Sequence, residues 1–201
     1  MDKHNDNLFY KIVKPPVKLL VRLLYRPKVV GLENIPKDGR VVLAGNHTKW
    51  LDPVCLVAIT KRQIHFLAKK ELFDGKAKFI VKGMGCIPVN RKIHDKNVLE
   101  EAYKYLENEK CIGIFPEGTI NRTDDIIMPF KIGAVKACNM TNSPLVPFVI
   151  TGEYKLFRNT AKIEFLEPIK VGEDLEKENK KFMDIISKKL IEGEKENERK
   201  R

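Results

Sequence analysis

The sequence lacks the cysteine patterns that bind zinc or carry redox chemistry. Its four cysteines, Cys55, Cys86, Cys111 and Cys138, lie far apart and form no CxxC pair. Each has apolar neighbours, as small buried hydrophobic residues do. We therefore expect reduced thiols, a reducing cytosolic compartment and no metal site.

Long apolar runs are also missing. A simple transmembrane helix needs about 18 or more consecutive apolar residues, and no such run occurs. The first residues, MDKHNDNLFYKIVKPP, lack the continuous apolar core and the small-residue cleavage site of a secretory signal. We expect neither a bilayer-spanning helix nor a secretory signal.

Acidic residues are outnumbered by basic ones. The 201 residues include 38 Lys and Arg but 27 Asp and Glu, which gives a formal net charge of +11. This excess predicts a polyanionic partner, whether nucleic acid, an anionic lipid surface or a phosphorylated substrate. The length predicts one domain that can bury its own hydrophobic core.

Residues 8–26 carry cations and large apolar side chains at helical spacing. On a helical wheel one side collects Lys11, Lys14, Lys18, Arg22 and Arg26, and the other collects Phe9, Ile12, Val13, Val17, Leu20, Leu23 and Leu24. Such a cationic amphipathic helix lies flat in an anionic membrane surface, or it packs its apolar face on the domain core. Because Pro15 and Pro16 interrupt helical hydrogen bonding, two short helices and one helix both remain open.

Beyond residue 27, strand patterns alternate with helical patterns. Strands are expected at 41–44, 64–68, 86–89, 111–115, 145–150 and 161–166, and helices at 53–60, 75–83, 95–108, 132–140 and 182–191. An edge position is one option for the strand at 161–166. The alternation predicts a single α/β domain with a mostly parallel or mixed sheet flanked by helices. We therefore divide the chain into an amphipathic, membrane-associating helical segment, 1–27, and a domain with a charged C-terminal helix and tail, 28–201.

His47 follows the strand pattern at 41–44, which is where α/β folds place their ligand sites. Asp52 lies five residues further on, as the expected cap of the next helix, with Pro53 at its first position. The Asp52 carboxylate can fold back to orient the imidazole and stabilise the imidazolium. Because no serine or cysteine lies in a GxSxG pattern, a substrate hydroxyl becomes the nucleophile and His47 its general base. The plainer interpretations are a helix cap and a hydrogen-bonding loop residue.

Further polar residues follow later strand patterns. Glu117 and Gly118 come after one strand and Arg91 after another, while Arg122 and Lys131 follow Glu117 along the chain. Three cations near strand ends can bind one phosphate group. Surface solvation is the alternative for each cation, and a plain strand-to-loop turn is the alternative for the glutamate and the glycine.

Four segments in order resemble the motifs of the glycerolipid acyltransferases of the lysophosphatidic acid acyltransferase type. They are NHTKWLD at 46–52, GCIPVNR at 85–91, FPEGT at 115–119 and PLVPFVI at 144–150. A fifth segment, FKIGA at 130–134, matches the stretch that usually follows the third motif. The resemblance extends over residues 28–170, and four ordered motifs make it specific.

The resemblance implies a role for individual residues. His47 would be the general base and Asp52 its partner. Many family members place Arg directly after the third motif, whereas this chain has Ile120 there, so the choice of acceptor stays open. The substrate-binding residues that we expect are Arg91, near the glycerol phosphate, with Glu117, Gly118, Thr119, Arg122 and Lys131.

The implied reaction moves a fatty acyl group from acyl-CoA or acyl carrier protein to the free sn-2 hydroxyl of lysophosphatidic acid. The product is phosphatidic acid, an intermediate of phospholipid biosynthesis. Because the donor thioester is already activated, we expect that the transfer needs neither a cofactor nor a metal. Acyl-CoA or acyl carrier protein acts as a substrate. The expected partners are the donor, the lysophospholipid and an anionic membrane surface. The expected location is the cytoplasmic face of the cell membrane, as a peripheral protein.

Three alternatives remain beside this reaction. The first is acyl transfer to another lysophospholipid or lyso-lipid, such as an ornithine-type lipid. The second is a nucleic-acid-binding protein, which the cationic stripe disfavours because it lies opposite a broad aliphatic face rather than among exposed aromatics. The third is a lipid-binding protein without catalysis, which the presence of His47, Asp52 and Glu117 disfavours.

Overall fold

The computed structural model describes residues 8–89 and 99–198, in which strands and helices alternate. The helices are α1 Leu8–Leu24, α2 Asp52–Ile59, α3 Lys78–Gly83, α4 Glu100–Glu107, α5 Gly133–Thr141 and α6 Leu175–Glu198. The strands are β1 Lys28–Val30, β2 Val41–Gly45, β3 Ile64–Lys69, β4 Ile87–Val89, β5 Cys111–Ile114, β6 Leu145–Thr151 and β7 Lys162–Phe165. Short 3-10 helices occupy Leu32–Asn34 and Lys70–Phe73.

The strands form one seven-stranded sheet in the order β1-β7-β6-β2-β5-β3-β4. Every neighbouring pair runs parallel except β6 and β7, which are antiparallel. The predicted α/β fold with a mostly parallel or mixed sheet is confirmed. The edge option for the strand at 161–166 is wrong, because β7 lies between β1 and β6. The three-residue β1, which the sequence analysis did not predict, covers its outer side.

Helices cover both faces of the sheet, which explains why the central strand β2 is apolar throughout. Alternate residues of β2 enter different cores. Leu43 packs in a cluster with Val21 of α1 and Leu56 of α2. Val42 packs in the cluster on the opposite face, with Ala134 of α5 and Phe182 of α6. The sheet therefore separates a layer of α1 and α2 from a layer of α4, α5 and α6.

The N-terminal segment forms one continuous helix, α1, although Pro15 and Pro16 lie inside it. Of the two alternatives left open by the sequence, the single helix is confirmed. Contacts on both sides of the prolines compensate for the missing N–H donors. Tyr10 is buried and its hydroxyl donates to the carbonyl of Arg62 at 3.1 Å, while Val21 is buried in the core.

The helical wheel predicted one cationic and one apolar side for α1, whereas the structure divides its apolar residues between a buried side and an exposed side. The core-facing side includes Tyr10, Val17 and Val21, so Val17 does not belong to an exposed apolar face. Ile12 and Leu20 remain exposed on a second apolar side, together with Leu8, Leu19 and Leu23. Lys14, one of the cations on the predicted polar side, contacts the domain, because its ammonium donates to the carbonyl of Lys61 at 2.9 Å. The helix therefore packs on the core and also presents apolar side chains to solvent.

Most other predicted elements are observed with shifted ends. The helix expected at 95–108 is α4, and the first part of that range lies outside the described residues. The helix expected at 182–191 is longer, because α6 begins at Leu175 and continues to Glu198 through much of the charged tail. Across residues 8–89 and 99–198, none of the helices combines the length and apolar composition that a bilayer span requires.

Candidate active site

The carboxyl ends of two adjacent parallel strands define the site. Ala44 of β2 is paired with Ile114 of β5, so the loops that follow these strands leave the sheet side by side. Gly45 permits the close packing at the end of β2, since a Cβ atom there would lie 2.0 Å from the carbonyl oxygen of Phe148. The fold thus brings the first and third motifs together, although 70 residues separate His47 from Glu117.

His47 and Asp52 form a hydrogen-bonded pair. The Nδ1 atom of His47 lies 2.9 Å from Oδ2 of Asp52. Asp52 is fully buried, and the same oxygen accepts the N–H groups of Thr48 at 2.7 Å and Lys49 at 2.8 Å. Asp52 is the first residue of α2, whereas the residue at the cap position is Leu51. The carboxylate therefore organises the preceding loop as well as the imidazole.

The surroundings of the His47 ring fix its chemistry. With Nδ1–H assigned as the hydrogen-bond donor to the Asp52 carboxylate, Nε2 is the ring nitrogen that remains for another partner. The His47 side chain keeps 15% of its surface exposed, so the ring is reachable from solvent. Its ring stacks on Phe115, with centroids 4.0 Å apart and planes 20° apart. Asp52 and Phe115 therefore fix the orientation of the ring, and part of the ring faces solvent.

Glu117 is turned into the protein. Its Oε1 accepts the backbone N–H of His47 at 2.7 Å, and its Oε2 accepts that of Met128 at 3.0 Å. Burial raises the pKa of this carboxyl above its usual 4.5, against the opposing effect of the two N–H donors. The carbonyl of His47 in turn accepts the N–H of Asn121 at 2.8 Å. Both polar groups of the His47 main chain are thereby fixed to the segment that follows β5.

Asn46 fixes the residue before the histidine. Its Nδ2 donates to the carbonyl of Ile150 at 2.9 Å, and its Oδ1 accepts the Ile150 N–H at 2.8 Å. This side chain extends the pairing of β2 and β6 beyond Gly45 and Phe148. The sequence analysis gave no role to Asn46 or to Asn121. Asn46 was visible inside the first motif, whereas the Asn121 contact uses a backbone group and has no sequence signal.

Cys55 and Tyr154 lie behind Asp52. Burial raises the pKa of the Cys55 thiol to about 12, which keeps it protonated and poorly nucleophilic. The Tyr154 hydroxyl is also buried, and burial followed by the charge of Asp52 raises its pKa above the usual range. Sequence analysis missed Tyr154, because its proximity to Asp52 depends on the tertiary fold.

The predicted substrate-binding residues lie in different positions relative to this pair. Gly118 has φ +74°, and its N–H closes a turn onto Phe115 at 2.9 Å. The Lys131 side chain lies over this glycine, where a Cβ atom would be 3.0 Å from Nζ. Thr119 and Arg122 are exposed in the same segment.

Two predictions concern groups that this geometry does not include. Arg91, predicted to lie near the glycerol phosphate, is outside the described residues. Within the ranges 8–89 and 99–198, no cluster of His, Cys, Asp and Glu has the arrangement of a metal site. The site as described thus offers a histidine–aspartate pair, a buried glutamate and nearby cations.

Comparison with known proteins identifies the family. The Acyltransferase family model matches residues 26–151, and the chain belongs to this family. The resemblance inferred from the four ordered motifs is confirmed, and so is the predicted enzyme class, an acyltransferase.

Individual relatives carry a more specific name. The chain is 36% identical over 145 residues to a 1-acyl-sn-glycerol-3-phosphate acyltransferase of Bacillus subtilis, and the match covers 71% of each protein. It is 34% identical over 132 residues to a protein of the same name from Borreliella burgdorferi, with 64% of this chain and 52% of the relative covered. The fold is similar to that of the 1-acyl-sn-glycerophosphate acyltransferase PlsC from Thermotoga maritima. That similarity has a TM-score of 0.71 at 23% identity, covering 91% of this chain and 80% of the other.

Proposed function

We propose that the protein transfers a fatty acyl group from acyl-CoA or acyl carrier protein to the sn-2 hydroxyl of lysophosphatidic acid, giving phosphatidic acid. The observation that carries the proposal is the His47–Asp52 pair, with Nδ1 held at 2.9 Å by a buried carboxylate and the ring partly exposed. The names of the Bacillus and Borreliella relatives support the same acceptor.

In this reaction His47 acts as the general base. Nε2 takes the proton of the acceptor hydroxyl while the hydroxyl oxygen attacks the thioester carbonyl carbon, and a C–O bond forms. The Asp52 carboxylate stabilises the resulting imidazolium. Collapse of the tetrahedral intermediate breaks the C–S bond, and His47 returns the proton to the thiolate that leaves.

A direct transfer, without an acyl-enzyme, fits the side chains near His47. Cys55 is fully buried with a raised thiol pKa. Ser143 lies before β6, at the amino end of that strand, whereas the site lies at the carboxyl ends. Ser187 lies within α6. Neither serine occupies the position that a nucleophile next to His47 would need, so the substrate hydroxyl takes that role.

Glu117 serves this site by positioning the base. Both of its oxygens are already bonded to main-chain N–H groups, and the residue is buried. Lys131 has its ammonium group beside the same turn and is suited to bind the acceptor phosphate. Arg91, Thr119 and Arg122 are proposed to complete the phosphate-binding set.

A peripheral location on an anionic membrane fits a lipid acceptor. The exposed apolar side of α1, with Ile12, Leu20 and Leu23, lies next to exposed Lys18 and Arg22. Apolar burial and the attraction of cations to anionic lipid act together on such a helix. The cytoplasmic face is the side on which acyl-CoA and acyl carrier protein are found.

One experiment tests the acceptor. Purified protein is mixed with a labelled acyl donor and a panel of lysophospholipids, with His47→Ala as the matched inactive variant. Phosphatidic acid should form with lysophosphatidic acid at a rate that the variant lowers by orders of magnitude. Intact mass after mixing with donor alone should show no acylated protein. Transfer to other lysophospholipids but not to lysophosphatidic acid would favour the alternative acceptor, which Ile120 in place of the usual Arg keeps open.

A further inference from the structure

The loop after β6 carries two adjacent large apolar side chains that face solvent. Leu156 is 57% exposed and Phe157 is 68% exposed. Single exposed apolar residues are common on protein surfaces, but two neighbours at a loop tip bury little and contribute little to the core. Stabilisation of the fold therefore does not explain why Leu156 and Phe157 are apolar.

The backbone of this loop is strained at the same place. Phe157 has φ +58°, in the left-handed region that aromatic residues rarely adopt. Its N–H donates to the carbonyl of Leu24, the last residue of α1, and this bond holds the conformation. Because the strained backbone of Phe157 is not offset by packing of its side chain, we take the residue to serve function rather than stability.

The loop is attached to the end of α1. Besides the bond from Phe157 to Leu24, the ring of Tyr154 meets the ring of Tyr25 edge to face, with centroids 6.1 Å apart. Leu23, in the last turn of α1, is also exposed. The loop tip and the exposed apolar side of α1 therefore lie near one another.

The charges around the loop tip match an anionic surface. Both segments that meet here carry exposed cations, namely Arg22 and Arg26 at the end of α1 and Lys155 and Arg158 within the loop. The acid in the loop, Glu153, pairs with Lys155 at 3.0 Å. Apolar side chains bordered by cations are the combination that enters the acyl boundary while binding anionic headgroups.

We infer that Leu156 and Phe157 form a second membrane-insertion element, which enters an anionic leaflet beside α1. This inference rests on the proposed function, since a lipid acceptor requires the site to face the membrane. A contact that lies off the axis of α1 limits rotation of the domain about that helix. Because Tyr154 in the same loop lies next to Asp52, insertion of the tip sets the height of the His47–Asp52 pair above the leaflet.

The substitution Phe157→Gly separates this role from a structural one. Glycine adopts positive φ without strain, so the melting temperature should stay equal or rise. Loss of the ring should weaken binding to vesicles of phosphatidylcholine and phosphatidylglycerol by about tenfold. The matched control is Met140→Ser, which removes a side chain that is 61% exposed on α5, on the opposite face of the sheet.

Three measurements on the whole 201-residue chain decide the inference: vesicle flotation, melting temperature, and activity on a short-chain, water-soluble acceptor. We expect Phe157→Gly to reduce flotation and activity on bilayer-embedded acceptor, with soluble-acceptor activity unchanged and Met140→Ser like wild type. Unchanged flotation, or a fall in melting temperature that accompanies weaker flotation, would overturn it. Absence of soluble-acceptor activity in wild type would instead refute the proposed function, while flotation still reports on the loop.

Discussion

Replacing Glu117 by Gln tests whether this residue positions His47 or binds the acceptor. The carboxylate accepts two main-chain N–H groups, from His47 at 2.7 Å and Met128 at 3.0 Å. A carboxamide has a single oxygen, and its NH₂ group cannot accept. One of the two N–H groups must therefore face a donor, and the loop that carries His47 or the segment that carries Met128 must move to relieve this contact.

The size of the effect follows from these two bonds. A hydrogen bond to a charged group contributes about 1.5–3 kcal/mol, and one such bond is lost at a buried residue. Because one of these two N–H groups belongs to His47, relief of the contact can displace the proposed base, and a displacement of about 1 Å would cost about 10²-fold in rate. We expect Glu117→Gln to lower kcat by 10- to 100-fold, to lower the melting temperature modestly, and to leave KM for the acceptor near its wild-type value.

The assay compares kcat and acceptor KM for wild type, Glu117→Gln and a control, Glu164→Gln. Glu164 lies on β7 and pairs with Lys162 at 2.7 Å, so its substitution also removes a paired carboxylate but leaves the His47 loop untouched. The control should keep wild-type kcat. A rise in acceptor KM with kcat unchanged in Glu117→Gln would show that the carboxylate contacts the acceptor, and the positioning argument would then be wrong.

Three further predictions test other parts of the site and of α1. His47→Ala should lower kcat by about 10²–10⁴-fold, and near-normal turnover by the purified variant would contradict the mechanism. Lys131→Ala should raise acceptor KM with little change in donor KM, because a phosphate contact is lost; the opposite split would assign Lys131 to the donor. Leu20→Ser should weaken vesicle flotation at an unchanged melting temperature, whereas Val21→Ser should lower the melting temperature by exposing a polar group to the core. Identical effects of these two neighbours would contradict the assignment of the sides of α1.

The contact between His47 and Asp52 was predictable because it is local in sequence. His47 follows an apolar strand and Asp52 starts a helix with Pro53 in its first turn, so a short loop joins them. The polarity pattern defines both elements, and the distance that the loop must span is small. The convergence of the first and third motifs also followed from the fold class, since parallel strands end at the same edge of a sheet.

The contacts that hold this geometry were not predictable from sequence. The inward orientation of Glu117 depends on the His47 N–H, which lies 70 positions away. The Asn46 side chain pairs with Ile150 across 104 positions. The sequence pattern of a polar loop residue does not show whether its side chain faces solvent or bonds to a main-chain group of another loop. Only the sheet order, in which β2 lies between β6 and β5, brings these groups into contact.

The helix α1 shows why a two-way choice between membrane and core was too simple. A helical wheel sorts residues by polarity, but it does not show which of several apolar sides packs, since that depends on α2. Deleting residues 1–26 would remove the exposed leucines and would also uncover the core contacts of Tyr10 and Val21. A loss of vesicle binding in such a deletion would thus mix unfolding with loss of the membrane contact. Because α1 packs on α2 and α2 begins at Asp52, such a deletion would also disturb the helix whose first residue is hydrogen-bonded to His47.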